Sequence, residues 1–162
     1  MRSNKWIRDL TEETSLSVND LIWPIFLIEG NDKSENIQSL PGVSRLSIDK
    51  AVEASKIMFD RGLGCVALFP STPPKLKTES CEEAWNPNNL VNKATRIIKK
   101  EVPGLGVMLD VALDPYNSLG HDGLVKDNKI LNDETLDALS KQALTQAISG
   151  ADILGPSDMM DG

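Results

Sequence analysis

Four continuous apolar stretches punctuate this chain, at residues 21–28, 65–70, 106–113 and 151–156. Runs this short, bounded by Gly, Pro and polar clusters, read as buried strands rather than helices. Longer stretches with helical periodicity lie between them. Residues 47–61 predict a helix with Val52, Ser55, Met58 and Phe59 turned inward and Gly62 as its stop. Asn86 and Pro87 read as an N-cap and first helical position, and Leu90, Val91, Ala94, Ile97 and Ile98 then mark one helical face. A further helix opens at Asn132, with Asp133 and Glu134 in the first turn where the macrodipole favours them. Its apolar face is Leu136, Leu139, Ala143, Leu144, Ala147 and Ile148, and Gly150 stops it. Residues 1–20 are polar and mixed and read as an arm or short helix. The stretch around Pro41 and Gly42 reads as a loop.

The order βαβαβαβ predicts a parallel sheet, and continuously apolar strands predict that both of its faces are covered. Each strand runs out into polar or turn residues: Glu29 and Gly30, Ser71 and Thr72, Asp110 and Asp114, Ser157 and Asp158. Polar chemistry gathered at the carboxyl ends of parallel strands is the habit of TIM barrels and Rossmann-like sheets. A barrel of eight βα units takes about 250 residues, and this chain has 162. The predicted fold class is therefore α/β: a TIM (β/α)8 barrel present as a half barrel of about four βα units over residues 21–162, preceded by an arm at 1–20. The fourth strand has no helix after it, so one side should stand open and the isolated half should be poorly soluble.

Composition narrows the partners. A net charge of −7 gives no basic footprint for nucleic acid or an anionic membrane. No apolar run approaches a membrane span, and the first residues lack the pattern of a signal peptide. Cys65 and Cys81 are far apart and have no metal-like spacing, and Cys65 reads as core. Together these predict a cytoplasmic protein.

The chemistry concentrates after the third strand. Asp110 and Asp114 stand four residues apart, predicting one face of the strand, and Gly120-His121-Asp122-Gly123 follows. Carboxylates on an apolar strand are costly unless something pairs with them; here they can hold a hard cation or stabilise a cationic intermediate. Asp114 before Pro115 also reads as the start of a turn, and His121 as a solvent-facing loop residue. Ser157 and Asp158 read either as a substrate-gripping pair or as a plain helix cap. No lysine sits in an apolar pocket at a strand end, as Schiff-base chemistry requires: Lys77, among others, lies in a polar loop. Neither G-x-G-x-x-G nor a Walker A pattern is present.

The stretches LIWPIF at 21–26, LPGVSRLSID at 40–49, VALFP at 66–70, DVALDPY at 110–116, GHDG at 120–123, ILNDET at 130–135 and PSDMMDG at 156–162 resemble the N-terminal half of delta-aminolevulinic acid dehydratases, also called porphobilinogen synthases. The last of these runs is very specific to that family. The resemblance implies a TIM barrel with an N-terminal arm that hugs a neighbouring subunit in a homo-octamer. It implies a lyase that condenses two 5-aminolevulinate molecules to porphobilinogen with loss of water, an early step of tetrapyrrole (haem) synthesis. The family's two Schiff-base lysines would lie beyond Gly162, so these residues alone are expected to be inactive and the chain clipped at both ends. Asp110 matches the aspartate near the substrate amino group, and Ser157 and Asp158 match residues lining the same pocket. Zinc-dependent members have three cysteines where this chain has Ala112, Asp114 and Asp122. The resemblance is thus to aspartate-type members, with Asp114 and Asp122 as ligands for Mg²⁺ or another hard divalent cation rather than zinc. Leu119 replaces the family's usual His. A plastid location stays open if a transit peptide was trimmed. Two rival readings also stand: another metal-assisted TIM-barrel lyase such as an aldolase, and a non-catalytic assembly module.

Overall fold

The computed structural model describes residues 2–162. Its centre is a six-stranded sheet whose strands lie side by side in the order 34–36, 44–46, 22–27, 65–70, 106–111 and 153–156. The four long strands are β1 (Ile22–Leu27), β4 (Cys65–Pro70), β5 (Gly106–Val111) and β8 (Ile153–Pro156). They pair in parallel, β1 with β4, β4 with β5 and β5 with β8, as the apolar runs predict. Helices α2 (Ile48–Asp60), α3 (Leu90–Glu101) and α4 (Asn132–Ile148) connect them. A separate helix, α1 (Lys5–Leu10), has no buried residue.

All three connecting helices lie on one face. Ile25, Leu27, Val66, Leu68, Val107 and Leu109 pack there against Ala51, Val52, Val91, Ala94 and Ile98 of α2 and α3. A second cluster joins Val111, Leu113 and Tyr116 to Ala138 and Leu139 of α4. Side chains alternate along a strand, so Ile22, Phe26, Phe69, Met108, Asp110 and Ile153 occupy the opposite face. Among the described residues no helix covers it, and Ile22 and Ile153 stay 45% and 42% exposed. Helices outside a parallel sheet with a bare inner face make an incomplete TIM barrel.

The base of the sheet, at the amino ends of the strands, is tied by charge. Asp152 accepts the Val107 N–H at 2.8 Å and ion-pairs with Lys99 of α3 at 2.8 Å. Burial pulls the Asp152 carboxyl up, but the Lys99 hydrogen bond, the Val107 N–H and the lysine's charge hold it below the ordinary 3.8.

Several local expectations are corrected. The loop around Pro41 and Gly42 is the turn of an antiparallel hairpin, β2 (Ser34–Asn36) and β3 (Ser44–Leu46). β3 runs parallel to the carboxyl end of β1, pairing Phe26 with Arg45. Strands of three exposed or half-exposed residues carry no apolar signature. A second small hairpin, β6 (Val125–Lys126) and β7 (Lys129–Ile130), turns through Asp127 and Asn128, both at positive φ. Helix α3 is capped by Asn89, whose side chain accepts the Asn92 N–H at 2.9 Å, rather than by Asn86. Phe59 and Ile97, expected inward, are 37% and 41% exposed. In α4 the buried positions are Thr135, Ala138, Leu139, Gln142 and Gln146, while Leu144 and Ile148 are 63% and 77% exposed.

A short turn, Glu82–Trp85, packs beside α4, and Cys81 in front of it takes a left-handed φ of 59°. Cys81 is fully buried and its thiol is free. Burial, and then the charge of Glu82, push that thiol up to about 11. Thr78 ties this segment to the turn after β5, donating its N–H to the Tyr116 carbonyl at 3.1 Å and accepting the Ser118 N–H at 3.1 Å.

Candidate active site

The carboxyl ends of β1, β3, β4 and β5 surround a cavity of about 350 Å³. Phe26 and Phe69 form its apolar side, with ring centroids 5.7 Å apart. Asp110 and Asp114 supply negative charge, and Arg45 and Lys77 supply positive charge. The acidic strand thus opens into a site of mixed charge on an aromatic wall, a composition typical of small-molecule clefts.

Asp110 is the fifth residue of β5, on the inner face. Across the ladder it stands opposite Gly155. Two residues beyond Gly155, Ser157 Oγ donates to Asp110 Oδ1 at 2.6 Å. The ends of adjacent strands therefore bring Asp110 and Ser157 together.

Asp114 reaches the cavity by a different route. β5 ends at Val111, so Asp114 sits in the turn that follows, and the expectation that it continues the face of the strand is corrected. The turn is made by the Leu113 carbonyl, which accepts the N–H groups of Tyr116 and Asn117 at 2.8 and 2.9 Å. The Asp114 carboxyl is raised above 3.8, first by desolvation, then by the charges of Asp122 and Asp110; Lys77 opposes this only weakly. Asp122 belongs to the glycine-flanked loop, which is pinned by Asn117 Nδ2 donating to the Gly123 carbonyl at 3.2 Å. His121 turns to its own backbone, Nδ1 accepting the Gly123 N–H at 2.9 Å. Among the described residues no group of three or more His, Cys, Asp or Glu gathers closely enough to hold a metal ion.

Asp158 does not join the Asp110–Ser157 pair. It lies in a groove with Val111, Leu139 and Ala143, on the α4 side of the sheet. Its Oδ1 accepts the Met160 N–H at 2.7 Å, and its buried Oδ2 has no partner among the described residues. Conversely, the cavity recruits Arg45 and Lys77, which the residue patterns did not single out. Arg45 was hidden by the missed strand β3. Lys77 reads as a solvated loop lysine until the 3-10 turn Pro74–Leu76 before it folds the chain back over the mouth.

Fold and cavity together define an incomplete (β/α)8 barrel of enzymatic type, with its polar site at the carboxyl ends of the strands. The family model for delta-aminolevulinic acid dehydratase matches residues 1–162, and the chain belongs to that family. A protein of that name from Bradyrhizobium diazoefficiens is 55% identical over 99% of this chain and 46% of its own. One from Rhodobacter capsulatus is 51% identical over 100% of this chain and 49% of its own. The crystal structure of the Toxoplasma gondii enzyme (porphobilinogen synthase), in complex with the reaction product porphobilinogen, superposes with a TM-score of 0.95 at 40% identity, covering 99% of this chain and 46% of that one. The chain thus spans about half the length of the relatives it matches.

Proposed function

We propose that the protein carrying this half barrel condenses two molecules of 5-aminolevulinate to porphobilinogen with loss of water, as a lyase of tetrapyrrole and haem synthesis. The observation that carries the reading is the Asp110–Ser157 pair at the barrel mouth, 2.6 Å apart, in a chain that matches the dehydratase family along its whole length. Asp110 faces the substrate amino group and holds or takes its proton; Ser157 fixes the rotamer of that carboxylate. Phe26 and Phe69 shield one side of the reacting carbons, and Arg45 and Lys77 balance the charge of a substrate that carries both an amine and a carboxylate. Asp158, lying apart from this pair, takes a supporting role at the strand end. Lys77 lines the cavity from the loop after β4 rather than from a strand, and it is assigned to charge balance, with carbonyl activation assigned to residues of the complete chain.

The residues fit a hard cation better than zinc. Desolvation, and then the charges of Asp122 and Asp110, raise the Asp114 carboxyl, and among the described residues no cysteine joins these carboxylates in a metal-holding group. Mg²⁺ accepts one or two carboxylates and keeps several waters. Asp114 and Asp122 would hold it, and when bound it supplies positive charge beside the acidic mouth. The same proposal includes a homo-octamer, supported by Trp6, Leu10 and Leu16 standing 64%, 76% and 80% exposed on the N-terminal segment. It also includes a cytoplasmic location, supported by two free cysteines. Among the described residues no helix is long and apolar enough to cross a membrane.

The test is incubation of the natural full chain with 5-aminolevulinate. Porphobilinogen is expected; its absence, or turnover of a different carbonyl substrate, overturns the assignment. Borohydride reduction with 5-aminolevulinate should leave the 162-residue chain unlabelled, and a stoichiometric adduct would show that it carries a Schiff-base lysine after all.

A further inference from the structure

A helix that only covers a sheet needs an apolar buried face, but the buried face of α4 mixes Ala138 and Leu139 with Thr135, Gln142 and Gln146. Gln142 and Gln146 are 0% and 1% exposed, and they point at the backbone of the strand that carries Asp110. Gln146 Nε2 donates to the Asp110 carbonyl at 2.8 Å, and Gln142 Nε2 donates to the Ala112 carbonyl at 3.0 Å. The spacing is a geometric match. Four helical residues rise about 6.0 Å, and two strand residues advance about 6.6 Å. Amides at i and i+4 on a helix therefore reach carbonyls two apart on a strand running the opposite way.

Those carbonyls need donors because the ladder is running out. The β4 register ends at Leu68 opposite Leu109. Even-numbered residues of β5 face β4, as the Gly106 N–H on the Gly64 carbonyl shows, and the next β4 residue that faces them after Leu68 is Pro70, which has no N–H to give. Only the NH₂ end of a glutamine can face a carbonyl. Each side chain does so while leaving its own Oε1 buried without a partner. A buried amide with one end unsatisfied is expensive, so the donor end must serve something that an apolar residue could not.

We propose that Gln142 and Gln146 are positioning residues, which clamp the frayed end of β5 from the helix side and so hold the Asp110 carboxylate in register with Ser157. The carbonyl that Gln146 holds belongs to Asp110 itself. Rotation of that peptide tilts the bond that carries the carboxylate, and an error of about 1 Å at a reacting group can cost roughly 100-fold in rate. The catalytic readout rests on the condensation reading above; the clamp itself does not.

Gln146→Met and Gln142→Met keep the length of the side chain and remove the donor. In the natural full chain each is expected to lower kcat by about tenfold or more, with KM within about twofold, per folded molecule counted by circular dichroism. On an Asp110→Asn background the same substitutions should cost nothing further, because their effect passes through that carboxylate. The backbone carbonyl ¹³C resonance of Asp110 should move upfield in Gln146→Met as the hydrogen bond is lost. A folded Gln146→Met with unchanged kcat, or an equal loss with and without the Asp110 carboxylate, overturns the proposal. If Gln146→Met does not fold, Gln142→Met is read by the same criteria, with the Ala112 carbonyl as its resonance. If the wild-type protein makes no porphobilinogen, the functional reading fails and the carbonyl shift alone decides the clamp: no shift overturns it.

Discussion

The two ends of the sheet handle a carboxylate charge in opposite ways. At the base, Asp152 has a cation and an N–H pointed at it, and its carboxyl is held low. At the mouth, Asp114 is crowded by desolvation and by two other carboxylates, and its carboxyl is pushed up. The same side chain is thus placed once where its charge is satisfied and once where it is not. The satisfied aspartate links α3, β5 and β8 and serves the fold. The unsatisfied one belongs to a cluster that is stable only at some cost, the arrangement expected where a substrate or cation completes the electrostatics.

Substitutions at each end can break this contrast. The largest effect is expected for Asp110→Asn: porphobilinogen formation by the natural full chain should fall by about 10²–10⁴-fold, with little change in the thermal midpoint. A large loss of stability would move Asp110 into the structural class with Asp152. Ser157→Ala, which removes only the 2.6 Å hydrogen bond to Asp110, should cost roughly tenfold in kcat, worth about 1.4 kcal/mol. At the base, Asp152→Ala should leave kcat unchanged but lower the urea-derived stability by about 1 kcal/mol, a modest figure because the pair is half exposed and screened.

The smallest effect is the most discriminating, because the two ends respond to pH with opposite signs. A lowered carboxyl contributes stability that is complete above the ordinary value of 3.8 and vanishes as pH falls through its folded value. Asp152→Asn should therefore be less stable than wild type at neutral pH and converge with it in acid below 3.8. A raised carboxyl does the reverse. Its penalty is absent below 3.8, grows as pH rises toward its folded value and is complete above that. Asp114→Asn should match wild type in acid and exceed it at neutral pH, by about 0.5 kcal/mol or less at this exposed position. Urea titrations across pH 3–7 that gave both variants the same sign would end the distinction.

Much of this architecture is legible in the residue pattern. The long strands are continuous apolar runs, and a run of that kind needs covering on both faces whatever surrounds it. Asp110 stands out for the same reason, as a charge within such a run. What escapes the pattern is stabilised by backbone geometry or by tertiary partners. Strand β3 is three half-exposed residues and acquires its meaning only by pairing with β1, so Arg45 is invisible as a cavity residue. Asp114 shares a cavity with Asp110 because a turn closed on the Leu113 carbonyl bends the chain, not because a strand continues. The inward face of α4 is misread because its buried glutamines answer to carbonyls more than twenty-five positions away in sequence. Hydrophobic periodicity carries no trace of such a demand.

Cys81 offers an unplanned stopwatch. Its thiol is fully buried, and at about 11 it is almost wholly protonated at neutral pH, so an alkylating reagent can reach it only when the surrounding segment swings away. Through Thr78 that segment is laced to the turn bearing Asp114. The rate of labelling in native buffer therefore times how often the rim of the barrel lets go.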